Sequence, residues 1–173
     1  MGWLRRLGFA FTAAVAYCGG GPSPDTDAER VARIDEMYAG YRKEFPEVPS
    51  VTAEVALAQL KAGQAPVFVD ARTEAERAVS VLPGAVAAEA VEADPGAYRG
   101  KELVVYCTIG YRSGLWAERM AGRGLTVRNL EGSLLSWTHV GGPLVTPAGE
   151  PTTRVHVYGR PWDLASSAYQ ATY

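Results

Sequence analysis
Over residues 25–45, apolar side chains recur every three or four positions, at Val31, Ile34, Tyr38, Tyr41 and Phe45, the spacing of one helical face. Thr26-Asp27-Ala28-Glu29 supplies a capping box at its start and Pro46 ends it. Thr52 can cap a short helix through Leu60 that stops at Gly63, and Pro66 leads into a strand over 67–70. The pattern then predicts a short strand from Val86, a helix over 93–98, a central strand over 103–106, a helix over 115–123, a strand over 127–130 and a helix over 133–137. Strands this continuously apolar, alternating with helices, imply an α/β domain whose mainly parallel sheet is covered by helices on both faces. In such sheets, sites form beyond the carboxyl ends of strands, where Asp70 and Cys107 both fall. The stretch 147–173 carries Val155, Val157, Tyr158, Trp162, Tyr169 and Tyr173, too apolar for a disordered tail. It is expected to wrap the domain against the 25–46 helical extension, with an interaction surface as the alternative.

Composition adds mild bounds. An apolar content of 47% over 173 residues supports one real core. The formal charge is −2, and 17 basic residues less Arg5 and Arg6 leave 15 against 19 acidic, which argues against nucleic acid as a partner. Arg5-Arg6 followed by the apolar run 7–16 reads as a secretory signal, too short for a spanning helix. Two processing routes are open. Val15-Ala16-Tyr17-Cys18 resembles a bacterial lipobox, making 1–18 a signal with Cys18 lipidated and 19–24 a flexible tether, whereas Ala14-Val15-Ala16 is itself an A-x-A cleavage site. Either route predicts export to the periplasm or cell envelope, with a lipid anchor in the membrane in the first. If Cys18 is lipidated, Cys107 is the only remaining thiol.

The candidate chemistry lies in Val104-Val105-Tyr106-Cys107-Thr108-Ile109-Gly110-Tyr111-Arg112-Ser113-Gly114, where a buried strand runs into a cysteine, four residues and an arginine. Such a loop can turn successive N–H groups inward, and the following helix N-terminus adds partial positive charge. Together with Arg112, these groups favour the thiolate of Cys107 over a free thiol of pKa roughly 8.5. Gly110 can take a backbone angle closed to other residues, and Ser113 is positioned to cap the helix or to aim its hydroxyl into the loop. The structural alternative is a buried, inert cysteine.

These residues resemble the rhodanese-like sulfurtransferases. The segment from Tyr106-Cys107 to Arg112-Ser113-Gly114 is similar to the family's active-site loop, and Val67-Phe68-Val69-Asp70-Ala71-Arg72 to its first core strand ending in Asp-x-Arg. Thr73-Glu74-Ala75-Glu76-Arg77 looks like the acidic turn that follows, and Leu82-Pro83-Gly84-Ala85-Val86 like its Pro-Gly-Ala segment. Leu130-Glu131-Gly132-Ser133 with Trp137, then Gly141-Gly142-Pro143-Leu144, resembles the closing Gly-x-x-x-Trp and Gly-x-Pro segment. The likeness covers 51–146 and implies a three-layer domain with a central mainly parallel sheet flanked by helices.

It also implies a persulfide carried on Cys107, with sulfane sulfur moved from an anionic donor, thiosulfate or a persulfide, to a thiol or cyanide-like acceptor. Arg112 would bind the donor or brace the loop. Thr108, Ile109, Gly110, Tyr111 and Ser113 would line the substrate site, mainly through backbone donors, with the Ile109 and Tyr111 side chains shaping the entrance. Asp70 and Arg72 are expected to be scaffold, with Arg72 paired to an acid such as Glu76. Related phosphatases place five residues between cysteine and arginine, usually with a His before the cysteine. Four residues and Tyr106 favour sulfur over phosphate. A non-catalytic or redox-sensing binding module is the alternative, and a Cys-Arg phosphatase or arsenate reductase a more distant one. No metal or organic cofactor is implied, and His139 and His156 are read as structural or surface residues.

Overall fold
A computed structural model describes residues 24–173, so the signal, Cys18 and nearly all of the 19–24 tether lie outside the described residues. The centre is a five-stranded parallel sheet in the order β1 (Ser50–Val51), β5 (Thr126–Leu130), β4 (Glu102–Tyr106), β2 (Val67–Asp70), β3 (Val86–Ala87). β4 is the middle strand, and its register sets Tyr106 beside Asp70. Alternation along the strands makes two cores. Phe68, Val104, Tyr106 and Leu130 face one side with Ile34, Trp137 and Leu57, while Val69, Leu103, Val105 and Val127 face the other with Phe45, Trp116 and Met120. The expected three-layer α/β architecture with a central parallel sheet is therefore present.

On the first face lie α1 (Asp27–Tyr41), α2 (Ala53–Lys61) and α6 (Ser133–His139); on the second lie α4 (Ala88–Ala93) and α5 (Tyr111–Ala121). A one-turn helix, α3 (Glu74–Arg77), follows β2. The Thr26 capping box forms and α1 passes into a 3-10 turn, Arg42–Glu44, ahead of Pro46. Two elements depart most from the sequence reading. The helix expected over 93–98 is instead α4, built from the alanine- and glutamate-rich run before it, followed by a separate 3-10 turn, Pro95–Tyr98, because Asp94 leaves helical geometry and caps the next turn. Helix α5 starts at Tyr111, earlier than expected, because Gly110 adopts φ +104 and serves as its N-cap. Ser113 lies inside the first turn and does not cap the helix.

Residues beyond α6 form β6 (Leu144–Val145) against β7 (Pro151–Thr152), and then β8 (Arg154–His156) parallel to β9 (Gln170–Thr172). Val155, Val157, Leu164 and Ala165 are buried in the first core beside Ile34 and Met37. Each larger apolar side chain buried in this way contributes about 1.5–3 kcal/mol, which explains why the segment is packed and not free. It also meets α1 through polar contacts. Arg30 Nη1 donates to Ala165 O (2.9 Å), and Asp27 accepts from the Ser166 hydroxyl (3.0 Å) and from the Ser167 N–H (2.9 Å) and hydroxyl (3.1 Å). No helix among the described residues is long and apolar enough to cross a membrane.

Candidate active site
Cys107 is the first residue past the carboxyl end of the central strand, and the four-residue loop Cys107-Thr108-Ile109-Gly110 joins it to α5. The loop is held from beneath. The Leu134 and Leu135 N–H groups at the start of α6 donate to the Cys107 and Thr108 carbonyls (3.3 and 3.1 Å), and the Cys107 N–H donates to Ser133 Oγ (3.1 Å). Ser133 is fully buried at φ +49, an uncommon angle for a non-glycine residue. Gly110 is doubly constrained: beyond its left-handed angle, a Cβ there would lie 2.6 Å from the Tyr38 ring of α1. Asn129 of β5 donates to the Gly110 carbonyl (2.8 Å) and accepts the Ser113 hydroxyl (2.7 Å).

These anchors aim the Gly110 N–H at Cys107 Sγ (3.2 Å) and bring Ser113 Oγ to 3.5 Å from it. Burial alone would push the thiol up. The Arg112 charge, with hydrogen bonds from the Ser113 side chain and backbone and from the Gly110 backbone, outweighs it and holds the thiol below its ordinary value. Cys107 is 1% exposed. The structure thus brings Cys107, Gly110, Arg112 and Ser113 together around one sulfur.

Arg112 is itself gripped. Its Nη1 and Nη2 donate to both oxygens of Glu76 (2.8 and 2.6 Å), and Nη2 also reaches Thr108 Oγ1 (3.2 Å). Glu76 sits at the third position of α3 and completes a capping box with Thr73, accepting the Thr73 N–H (2.9 Å) and hydroxyl (2.8 Å). Burial raises the Glu76 carboxyl, but Arg112 and the Thr73 donors pull it down to about 2. The expected Arg72–Glu76 pair is therefore not made. Arg72 turns back onto Asp70 (2.7 Å) and donates to the Ser80 carbonyl (2.6 Å), with its guanidinium over the Tyr106 ring.

Two side chains assigned to the entrance point elsewhere. Ile109 is 4% exposed and belongs to the first apolar core, where desolvation favours it. Tyr111 leans on Tyr41 (ring centroids 5.1 Å apart) and donates its hydroxyl to Glu44 (2.9 Å). Of the expected backbone donors, the Gly110 N–H bonds Sγ directly, joined by that of Ser113; Thr108 contributes its hydroxyl to the Arg112–Glu76 pair. A cleft of about 280 Å³ opens beside Arg112, lined also by Ala71, Ala88, Glu92, Trp116 and Arg119. Tyr158, from the C-terminal segment, lies under the Arg112 guanidinium, 5.0 Å from ring centroid to Cζ. His139 Nε2 bonds the Leu164 carbonyl (2.9 Å), and His156 Nδ1 accepts the Tyr158 N–H (3.1 Å).

Glu76, Asn129, Ser133, Tyr38 and Tyr158 were not legible as site residues. For two of them a signal existed. Thr73-x-x-Glu76 is a capping box placed just past the strand that borders the central one, and Asn129 is a lone amide near the carboxyl end of a strand, where sites form in such sheets.

Comparisons with known proteins bear on this geometry. The family model for the rhodanese-like domain matches residues 52–139. Among solved structures, the chain resembles a Rhodopseudomonas palustris protein of unknown function described as a possible tyrosine phosphatase, with 28% identity and a TM-score of 0.52 over 64% of this chain and 92% of that one. A thiosulfate sulfurtransferase from Pseudomonas aeruginosa matches at 24% identity and a TM-score of 0.51, over 73% of this chain but 24% of that longer one. The rhodanese-like domain of an Anabaena protein, solved by NMR, matches at 22% identity and a TM-score of 0.52, over 57% of this chain and 79% of that one. The last two likenesses are of fold alone. None of the curated proteins matches the chain.

Proposed function
The chain belongs to the rhodanese-like domain family, and from that membership we propose that it is a sulfurtransferase that carries a persulfide on Cys107. The observation that supports this most directly is the setting of Cys107 Sγ: a lowered thiol at the carboxyl end of the central strand, with the Gly110 N–H 3.2 Å away and the Arg112 charge beside it. In the first half-reaction the Cys107 thiolate attacks the outer sulfur of thiosulfate. A new S–S bond forms, the old one breaks, and sulfite leaves with its electron pair. In the second, a thiolate or cyanide takes the terminal sulfur and regenerates the Cys107 thiolate. Two half-reactions through a covalent intermediate give ping-pong kinetics.

The test is intact mass of residues 24–173 before and after thiosulfate, with Cys107→Ser alongside. A gain of about 32 Da that cyanide removes, and that the serine variant lacks, is the outcome expected of a covalent sulfur carrier. No gain with thiosulfate or with an organic persulfide sinks the proposal. It would leave the non-catalytic or redox-sensing binding module, and the near-complete burial of Cys107 suits the non-catalytic form of it. Hydrolysis of an aryl phosphate in the same preparation would favour the phosphatase reading. The proposal includes export and anchoring through Cys18. Cys18→Ser is then expected to move the full-length protein from the membrane to the soluble fraction of cells, and unchanged fractionation counts against the anchor.

A further inference from the structure
Tyr158 lies outside the matched family domain, yet its ring meets the arginine beside the nucleophile. It is held there against ordinary preferences. Its backbone is left-handed, φ +70, a region in which bulky residues are rare, while 56% of the residue stays exposed. Three contacts fix the turn. The Tyr158 N–H is donated to His156 Nδ1 (3.1 Å), the neighbouring Val157 is fully buried with its N–H on the Thr172 carbonyl (2.9 Å), and Trp162 packs edge-on against the Tyr158 ring at 5.1 Å. An exposed aromatic ring, held at unfavourable backbone cost against the arginine that neighbours Cys107, is more than a packing residue.

The groups facing an incoming molecule are then unequal. Both terminal nitrogens of Arg112 donate to Glu76, so its charge is matched by a carboxylate, and Tyr158 lies against the face of its guanidinium. A doubly charged inorganic donor meets no surplus positive charge from this pair. A donor with an apolar body meets the open surface of Tyr158, backed by Trp162. Resting on the sulfurtransferase reading above, we propose that Tyr158 is a substrate-contacting, specificity-determining residue that selects organic sulfane-sulfur donors over inorganic thiosulfate. With an aryl thiosulfonate, the Cys107 thiolate attacks the outer sulfur, the S–S bond to the sulfonyl group breaks, and the aryl sulfinate leaves with the electron pair. Charge is conserved, one anion replacing another.

The experiment compares kcat/KM for benzenethiosulfonate and for thiosulfate, both with cyanide as acceptor, in the wild type, Tyr158→Leu and Tyr158→Phe. Differences in intrinsic donor reactivity cancel in the change of the ratio between variants. The wild type is expected to favour the aryl donor. Tyr158→Leu should lower the aryl-to-thiosulfate ratio about fivefold, the size expected for one lost aromatic contact, and Tyr158→Phe, which keeps the ring, should hold the wild-type ratio. Sulfur uptake from both donors with the same ratio in the leucine variant overturns the role of Tyr158 and leaves the sulfurtransferase reading standing. No sulfur on Cys107 from either donor overturns both.

Discussion

Two arginine–carboxylate pairs sit at the carboxyl end of the same sheet, and their surroundings divide them. Arg72 and Asp70 are two residues apart, with side chains 0% and 1% exposed, and the arginine is further tied to the Ser80 carbonyl. Arg112 and Glu76 come from different helices; Glu76 is 4% exposed but Arg112 keeps 32% of its side chain open and has the Cys107 sulfur as a neighbour. The first pair closes a strand end. The second, equally well formed, acts on the charge state of a thiol. What separates scaffold from site is which further group feels the charge, not the quality of the ion pair.

The comparison breaks most severely at the first pair. Arg72→Leu leaves Asp70 buried and unmatched, so a loss of about 3–5 kcal/mol in urea unfolding is expected, and a loss under about 1 kcal/mol would contradict the scaffold role. Arg112→Met should cost less stability, about 2 kcal/mol, because Thr73 still donates to Glu76. Its mark should be on chemistry: the midpoint of Cys107 alkylation against pH is expected to rise, since the largest favourable charge is gone.

Glu76→Gln sharpens the contrast because its sign is opposite. With the carboxylate removed, the Arg112 charge acts on Cys107 unopposed, and the alkylation midpoint should fall below that of the wild type. The same variant reports on acid stability. Glu76 is pulled to about 2 from an unfolded value of 4.5, so its contribution is complete above pH 4.5 and is lost as pH falls towards 2. A fall in unfolding free energy across that window, weaker in Glu76→Gln, is the expected outcome of parallel pH titrations. The smallest effect is Ser113→Ala, which removes one donor near Sγ but keeps Arg112 and Gly110. A rise in the alkylation midpoint smaller than that of Arg112→Met is expected, and no rise would assign the Ser113 hydroxyl to Asn129 alone.

Much of the fold was legible because burial on both faces writes strands as unbroken apolar runs. Residues 67–69 and 103–106 are such runs, and both strands formed where the pattern put them. The cysteine loop was legible by its spacing. What was hidden depends on adjacency across the sheet. Local spacing made Glu76 a partner for Arg72, but β2 lies beside β4, so the end of the one delivers Glu76 to the helix that follows the other. Ser113 was read as a cap because its type and place fit one. Gly110 pre-empted that role, and the hydroxyl was free to meet Asn129. Ile109 went inward because an isoleucine gains more from the core than from a loop surface.

The contacts between Asp27 and Ser166-Ser167 join residues up to 140 apart in sequence, clasping the C-terminal segment to α1 on one face of the sheet. Contacts of such long sequence separation require most of the chain to be ordered before they repay the entropy of closure. The clasp is therefore expected to form after the sheet during folding and to open as its own subglobal unit. Deuterium uptake should be faster at the amides of β8 and β9 than at those of β4. One such opening would carry Tyr158 away from Arg112 with the central strand undisturbed, so the donor preference proposed for Tyr158 is expected to vary with the opening equilibrium of this clasp.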